Sequence, residues 1–485
     1  MTDTALPAGE GSLSESPNVS FRNLLADGAA YALGPMLVRL LGFLTLPFVA
    51  RSLGSENFGT LELYSSVASA LAALILLGLD SSTLSVYKGS EISTSHRSAV
   101  FSSALLLEIV VAVLVTLAVI AFRHPISRAL TGEPMDSLLL LPVAGFVIAT
   151  GIGNVVRSSL RASSKPMLYL ASSSAAAIGT TSGVVVAVAF SATPTTLLTA
   201  QAVGPAIGAL VGLLAAKKLI AFWPRRAVQT TLLRHGAPQV ASVSAIVVAD
   251  VLHRWWLVQV SGTASVGVLG LAVRLAVVVS FLSLAMQTAW YPRAIDLHNS
   301  VVKRPTVKKD SIRIAVLMGL AAVAFAAITP EVIQIVGAEE FADSRAPVGW
   351  LMVAALGLVC FHILMLSNVA AESFGALGMA SLFGIGLGLV CAVAIVPTYG
   401  VTGTAFSMAV GQWLSAGALG MLNRRHGRAI VEMGPLVLPY VFPAIAAVQV
   451  TADSHSLFIR ALWVVAVALW SLYFTLGQRQ SLGRS

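Results

Sequence analysis

Charge is what this sequence has least of. Asp, Glu, Lys and Arg make up 11% of its 485 residues, against about 25% in soluble domains, and its mean hydropathy is +0.87. That shortage excludes a water-soluble fold, which could not hide so much apolar surface. Cysteine is nearly absent too. Cys360 and Cys391 both fall inside apolar segments with no metal-ligand spacing, which excludes a disulfide framework or a cysteine zinc site and leaves them as small buried apolar residues. The sequence contains no Gly-x-x-x-x-Gly-Lys loop, no His-Glu-x-x-His helix and no Gly-x-Ser-x-Gly elbow, so a Walker ATPase, a zincin and a hydrolase of that type are set aside and no catalytic motif is left. A basic domain with interleaved aromatics is missing as well. The formal charge of +9 therefore does not point to nucleic acid, and no metal site or resident cofactor is expected.

What is present is a succession of apolar runs, each near the roughly 20 residues that cross a bilayer as a helix. They place fourteen helices near 24–49, 60–82, 98–122, 137–156, 167–190, 196–216, 238–260, 264–289, 311–330, 346–370, 377–397, 402–422, 433–451 and 457–476. Of the 30 Lys and Arg, 22 fall in the connectors of one side and in the two terminal segments. By the positive-inside rule that side is cytoplasmic, and both termini with it. Residues 1–20, rich in Ser, Pro, Gly and acid, read as a disordered cytoplasmic tail and not as a cleaved signal.

Internal repetition follows from the charges and glycines. Fifty-one residues without a charge separate Lys165 from Lys217, and another 51 separate Glu372 from Arg424. These hairpins are offset by 207 residues, and Ala202-Val203-Gly204 recurs at that offset as Ala409-Val410-Gly411. Gly54 and Gly59 recur at offset 208 as Gly262 and Gly267. The expectation is two related six-helix halves, 21–225 and 226–428, followed by a helix pair and short tail at 429–485. Parallel repeats of this kind suit a transporter with its substrate between the halves.

Charge inside an apolar run is expensive, and each instance raises a functional question. Arg39 and Arg274 lie well inside such runs, and Asp250 and Arg254, spaced i and i+4, share a helix face. Arginine holds its charge and grips phosphate in a bidentate fork, so Arg39, Arg254 and Arg274 are the candidate cavity arginines. Glu108, mid-helix, with Asp250, Asp80 and His253, forms the set for ion coupling or gating. Pairing between neighbours is the plainer alternative for each. Gly384, Gly386 and Gly388 imitate a nucleotide loop, but no strand precedes them and close helix packing explains them better.

Five short motifs follow one another along the chain: Arg51-Ser52-Leu53-Gly54 with Phe58-Gly59, Leu77-Gly78-Leu79-Asp80, Leu232-Leu233-Arg234-His235-Gly236-Ala237-Pro238, Val266-Gly267 through Ala272-Val273-Arg274, and Ala289-Trp290-Tyr291-Pro292. At these residues the chain resembles the Wzx-type polysaccharide flippases of the multidrug/oligosaccharidyl-lipid/polysaccharide (MOP) exporter superfamily. The chain departs from the pattern at His253-Arg254, where Asp-Arg is common in the family, and at Leu269, where a tyrosine is common. The resemblance implies an all-α membrane protein with a MATE-like fold: two pseudo-symmetric six-helix bundles plus two C-terminal helices. It also implies a bacterial inner-membrane flippase that moves a polyprenyl-pyrophosphate-linked oligosaccharide to the outer leaflet by alternating access, driven by a proton or Na+ gradient, in company with other polysaccharide assembly proteins. Two alternatives stand beside it: a MATE-like multidrug or cation antiporter, and a membrane polysaccharide polymerase or ligase, which the short connectors disfavour.

Overall fold

The structure is a computed structural model that describes residues 21–88, 94–132, 134–219, 223–299, 304–337, 339–371, 373, 375–452 and 456–482. The expected tail at 1–20 lies outside the described residues. Those that are described are almost entirely helical and include no strand. In chain order they are α1 (Phe21–Ile75), α2 (Leu79–Lys88), α3 (Thr94–Ala121), α4 (Arg123–Thr131), α5 (Leu140–Ala162), α6 (Pro166–Phe190), α7 (Pro194–Ala216), α8 (Arg226–Asn299), α9 (Arg304–Gly337), α10 (Arg345–Ala370), α11 (Gly375–Arg425), α12 (Met433–Ala452) and α13 (Leu457–Leu482).

Among the described residues, eleven helices are long and apolar enough to cross a membrane, and three of these are too long to cross only once. Their apolar stretches are Met36–Ile75, Ser244–Ser280 and Gly375–Arg425, of 40, 37 and 51 residues. At about 1.5 Å per residue each exceeds the roughly 30 Å of hydrocarbon by a wide margin. Each also breaks at a glycine: Gly54 in α1 (φ 69°, ψ 173°), Gly262 in α8 (φ 80°, ψ 173°) and Gly400 in α11 (φ 51°, ψ −125°). A side chain with a Cβ is strained in those regions. Each kinked helix therefore supplies two arms that cross separately, and the eleven make fourteen crossings. Helices α1 to α7 form one six-crossing bundle, α8 to α11 a second, and α12 with α13 the additional pair.

The fourteen expected helices thus appear with a difference in their connections. Loops were expected between 49 and 60, between 260 and 264 and between 397 and 402, and a single glycine makes each turn instead. The short helix α4 was not foreseen. It has only nine residues, and five of them are charged or polar: Arg123, His124, Ser127, Arg128 and Thr131.

Small residues set the packing distances. A Cβ on Gly204 would overlap the Thr180 Oγ1 of α6 and stand 2.7 Å from the Ala176 carbonyl oxygen, and one on Gly208 would stand 2.9 Å from the Ser172 carbonyl oxygen. Within α11, Gly388 faces Gly411 and Gly384 faces Ser415, while Gly386 faces open space. This is the small-residue packing that brings helices together where water does not drive them.

The two bundles meet along the second arm of α1, which touches α8 at both of its ends. Near the kink, Gly59 lies against the backbone of Thr263 and Gly267 against that of Ser55, with no space for a Cβ on either side. At the other end Gly78 (φ 69°) and Gly236 abut backbone to backbone, and Leu77 beside them also takes a positive φ of 47°. The kink end is further closed by the 3-10 turn Glu339–Ser344. The Ser55 amide donates to Glu340 Oε2 at 2.9 Å, the Ser344 hydroxyl donates to the Val268 carbonyl at 3.0 Å, and Phe58 meets Phe341 edge to face at 5.6 Å.

Candidate functional site

Between these two closures lies a cavity of about 700 Å³. Both arms of α1 line it, at Gly42, Thr45, Glu62, Ser65 and Ser69, together with Asn154 and Arg157 of α5, Tyr169 and Ser173 of α6, Gln201 of α7, and Asp250, Arg254 and Arg274 of α8. Most of the uncharged polar wall belongs to the first bundle. There the Ser65 hydroxyl donates to Gln201 Oε1 at 2.9 Å.

An ion network crosses from one bundle to the other. Glu62, on the second arm of α1, is 5% exposed, and Arg254 opposite it on α8 is 4% exposed. Arg254 Nη1 donates to Glu62 Oε2 at 2.9 Å, and its Nε donates to Asp250 Oδ2 at 3.0 Å. Arg274 Nε donates to Glu62 Oε1 at 2.8 Å, its Nη2 pairs with the same oxygen, and its guanidinium lies over the Phe58 ring at 5.5 Å. Gly270 leaves room for this arrangement, since a Cβ there would stand 2.5 Å from Glu62 Cγ. Two carboxylates and two guanidiniums cancel in charge. Buried charges are tolerable in this form, each with a partner and each hydrogen-bonded.

The structure separates the residues that the sequence singles out. Arg254, Arg274 and Asp250 come together in the cavity, with Asp250 and Arg254 held in the ion pair that the plainer reading of the i, i+4 spacing expects and Arg274 paired with Glu62. The side chain of Arg39 lies outside the described residues. His253 turns to a second cavity of about 170 Å³ that it shares with Asp250, Ser280 and Gln412. Its Nδ1 is 2.7 Å from the Ala249 carbonyl oxygen, so Nδ1 carries the proton and donates. Asp80 lines a third cavity, about 320 Å³, which shares Ser69, Phe146, Thr150 and Asn154 with the large one. Glu108 stands apart. It is fully buried between α3 and α5 against Gly151 and Ile75, and neither of its oxygens has a hydrogen-bond partner among the described residues.

Two residues of the site were missed by the sequence reading. Glu62 sits two residues inside the expected second helix and looks like a helix-end charge, although apolar neighbours flank it. Arg157 was counted with the basic connectors. Its signal was Asn154 three residues earlier, on the same helix face.

A family model described as polysaccharide biosynthesis protein matches residues 24–298. No curated protein sequence matches the chain. Among solved structures, the chain is similar to the lipid II flippase MurJ in an inward closed conformation, with a TM-score of 0.68 at 12% identity over 93% of this chain and 99% of that one. It is also similar to an inward-facing multidrug resistance MATE family transporter of the MOP superfamily (TM-score 0.63, 15% identity, 88% and 100% covered). A MOP superfamily transporter from Pyrococcus furiosus gives a TM-score of 0.57 at 15% identity, with 83% and 95% covered. At these identities the likeness is one of fold, and the fold is that of the MurJ and MATE transporters.

Proposed function

Because the chain belongs to the polysaccharide biosynthesis protein family, we propose that it is a membrane flippase that carries a polyprenyl-pyrophosphate-linked oligosaccharide from the inner to the outer leaflet by alternating access. The observation that carries this reading is the cavity: a space of about 700 Å³ between two bundles, lined by guanidinium groups from both bundles and by hydroxyls and amides of the first, inside a shell of apolar helices. A pyrophosphate and its first sugars match that lining, and the polyprenyl chain would stay in lipid. In this reading the halves divide near residues 225 and 428, the membrane is the bacterial inner membrane and both termini are cytoplasmic. A proton or Na+ gradient supplies the drive through some of Glu108, Asp250, Asp80 and His253, and other polysaccharide assembly proteins hand over and receive the cargo. The chain is a transporter, not an enzyme.

The test is reconstitution in liposomes with a fluorescent lipid-linked oligosaccharide in the inner leaflet. The expected result is its appearance in the outer leaflet, faster than in protein-free vesicles. No gain over protein-free vesicles would sink the flippase reading. A second reading, a MATE-like cation antiporter, draws on Glu62 and Asp250, which could face a cation if the pairs opened. Gradient-driven uptake of ethidium into the same vesicles, with no oligosaccharide movement, would favour it.

A further inference from the structure

Among the described residues, five charged side chains line the large cavity, and four of them neutralise one another. The fifth, Arg157, stands outside that network. Its Nη2 donates to Asn154 Oδ1 at 2.7 Å, and among the described residues no carboxylate pairs with it.

The guanidinium is placed in the cavity by its own helix. Side chains in an α-helix lean toward the helix N-terminus, and one turn earlier α5 carries Gly153. A Cβ there would stand 3.0 Å from Arg157 Nη1 and 3.3 Å from Nη2. The bare backbone at Gly153 lets the arginine lie along α5, pointing into the bundle instead of outward to the helix end. Arginine stays protonated whatever surrounds it, so its charge in the cavity is unmatched until an opposite charge meets it. Asn154 completes the arrangement. Arginine has no acceptor, so the amide must present its oxygen to Arg157, and its Nδ2 hydrogens are left for an acceptor that enters the cavity.

We infer that Arg157 and Asn154 form the docking point for a diphosphate group, and that Arg254 and Arg274 serve the network across the bundles instead. This rests on the flippase reading and adds the residue that seats the anionic group of its cargo. The guanidinium fork takes two oxygens of one phosphate in parallel, the Asn154 amide donates to a third, and Tyr169 and Ser173 of α6 line the same cavity.

The experiment uses the full chain in lipid nanodiscs, titrated with farnesyl diphosphate, inorganic pyrophosphate and farnesol. Wild type should bind farnesyl diphosphate and not farnesol. Arg157→Gln should weaken diphosphate binding at least tenfold, with Arg157→Lys between the two. Because Arg157 holds no carboxylate, the thermal midpoint of Arg157→Gln should not fall, whereas a structural arginine would lower it. Farnesyl diphosphate binding more tightly than pyrophosphate assigns the site to a lipid headgroup, and equal affinity assigns it to a free anion; in both cases the loss in Arg157→Gln supports the docking point. Undiminished binding by Arg157→Gln, or a wild type that binds neither diphosphate, overturns it. The liposome assay reads the flippase function separately, so oligosaccharide movement that survives in Arg157→Gln overturns the docking point and leaves the function standing.

Discussion

Glu62 is the residue on which the site turns, since one carboxylate holds two guanidiniums from another bundle. Removing its charge leaves Arg254 with only Asp250 and Arg274 with no acid. Breaking a buried pair in this way costs about 3–5 kcal/mol, so Glu62→Gln should lower the unfolding midpoint in detergent markedly. Combining it with Arg254→Gln should recover part of that loss, because the stranded charge goes as well, and a double variant worse than the sum of the singles would contradict the network. Of these contacts only the Asp250–Arg254 pair was legible in the sequence, because a helix repeat writes it into the spacing. Glu62 lies 192 residues from Arg254 and 212 from Arg274. No periodicity encodes such a meeting, and a charge near a helix end passes for a solvated one.

The helices themselves were legible, because a run of about 20 apolar residues has little choice inside a bilayer. Their joints were not. Whether Gly54, Gly262 or Gly400 ends a helix in a loop or turns it in place depends on a backbone angle that the sequence permits without requiring. The glycines of α11 make a sharp comparison between neighbours. Gly384→Ala would drive a Cβ into the Ser415 backbone and should cost about 1–3 kcal/mol by overpacking, whereas Gly386→Ala, with nothing within 4 Å, should be neutral or slightly stabilising. Unfolding midpoints of the two variants check this, and equal effects would rule out the packing role. At the C-terminal pair, Arg460 ties α13 to α9: its Nη1 and Nη2 donate to the two Glu331 oxygens at 2.7 and 2.5 Å, and Nη1 also to the Ala327 carbonyl at 2.6 Å. Hydrogen bonds to charged groups contribute about 1.5–3 kcal/mol. Arg460→Ala should therefore speed hydrogen exchange in α13 while the exchange of α1 stays unchanged.

At the scale of the whole molecule, the repeat offset of 208 residues brings together two glycines of identical role: Gly54 and Gly262 turn their helices with nearly the same φ and ψ. The cavity between the bundles is closed at one end by Gly59 and Gly267 and at the other by Gly78 and Gly236. Adding a methyl group at one closure should hold that end apart and leave the other shut. Gly236→Ala and Gly267→Ala, each carrying Ser69→Cys as a reporter in the cavity, should differ in the side of the membrane from which an impermeant thiol reagent reaches the cysteine. Labelling from the same side in both would refute the assignment of one closure to each end. The glycine contacts also separate two jobs that most interfaces combine. Bare backbone sliding on bare backbone has no rotamers to rearrange and no pockets to empty, so these seams can part and rejoin with little friction. The grip between the bundles then resides in side chains, the salt bridges of Glu62 and the Glu340 and Phe341 contacts at the kink end, and the pace of opening becomes a matter of how readily these few groups let go.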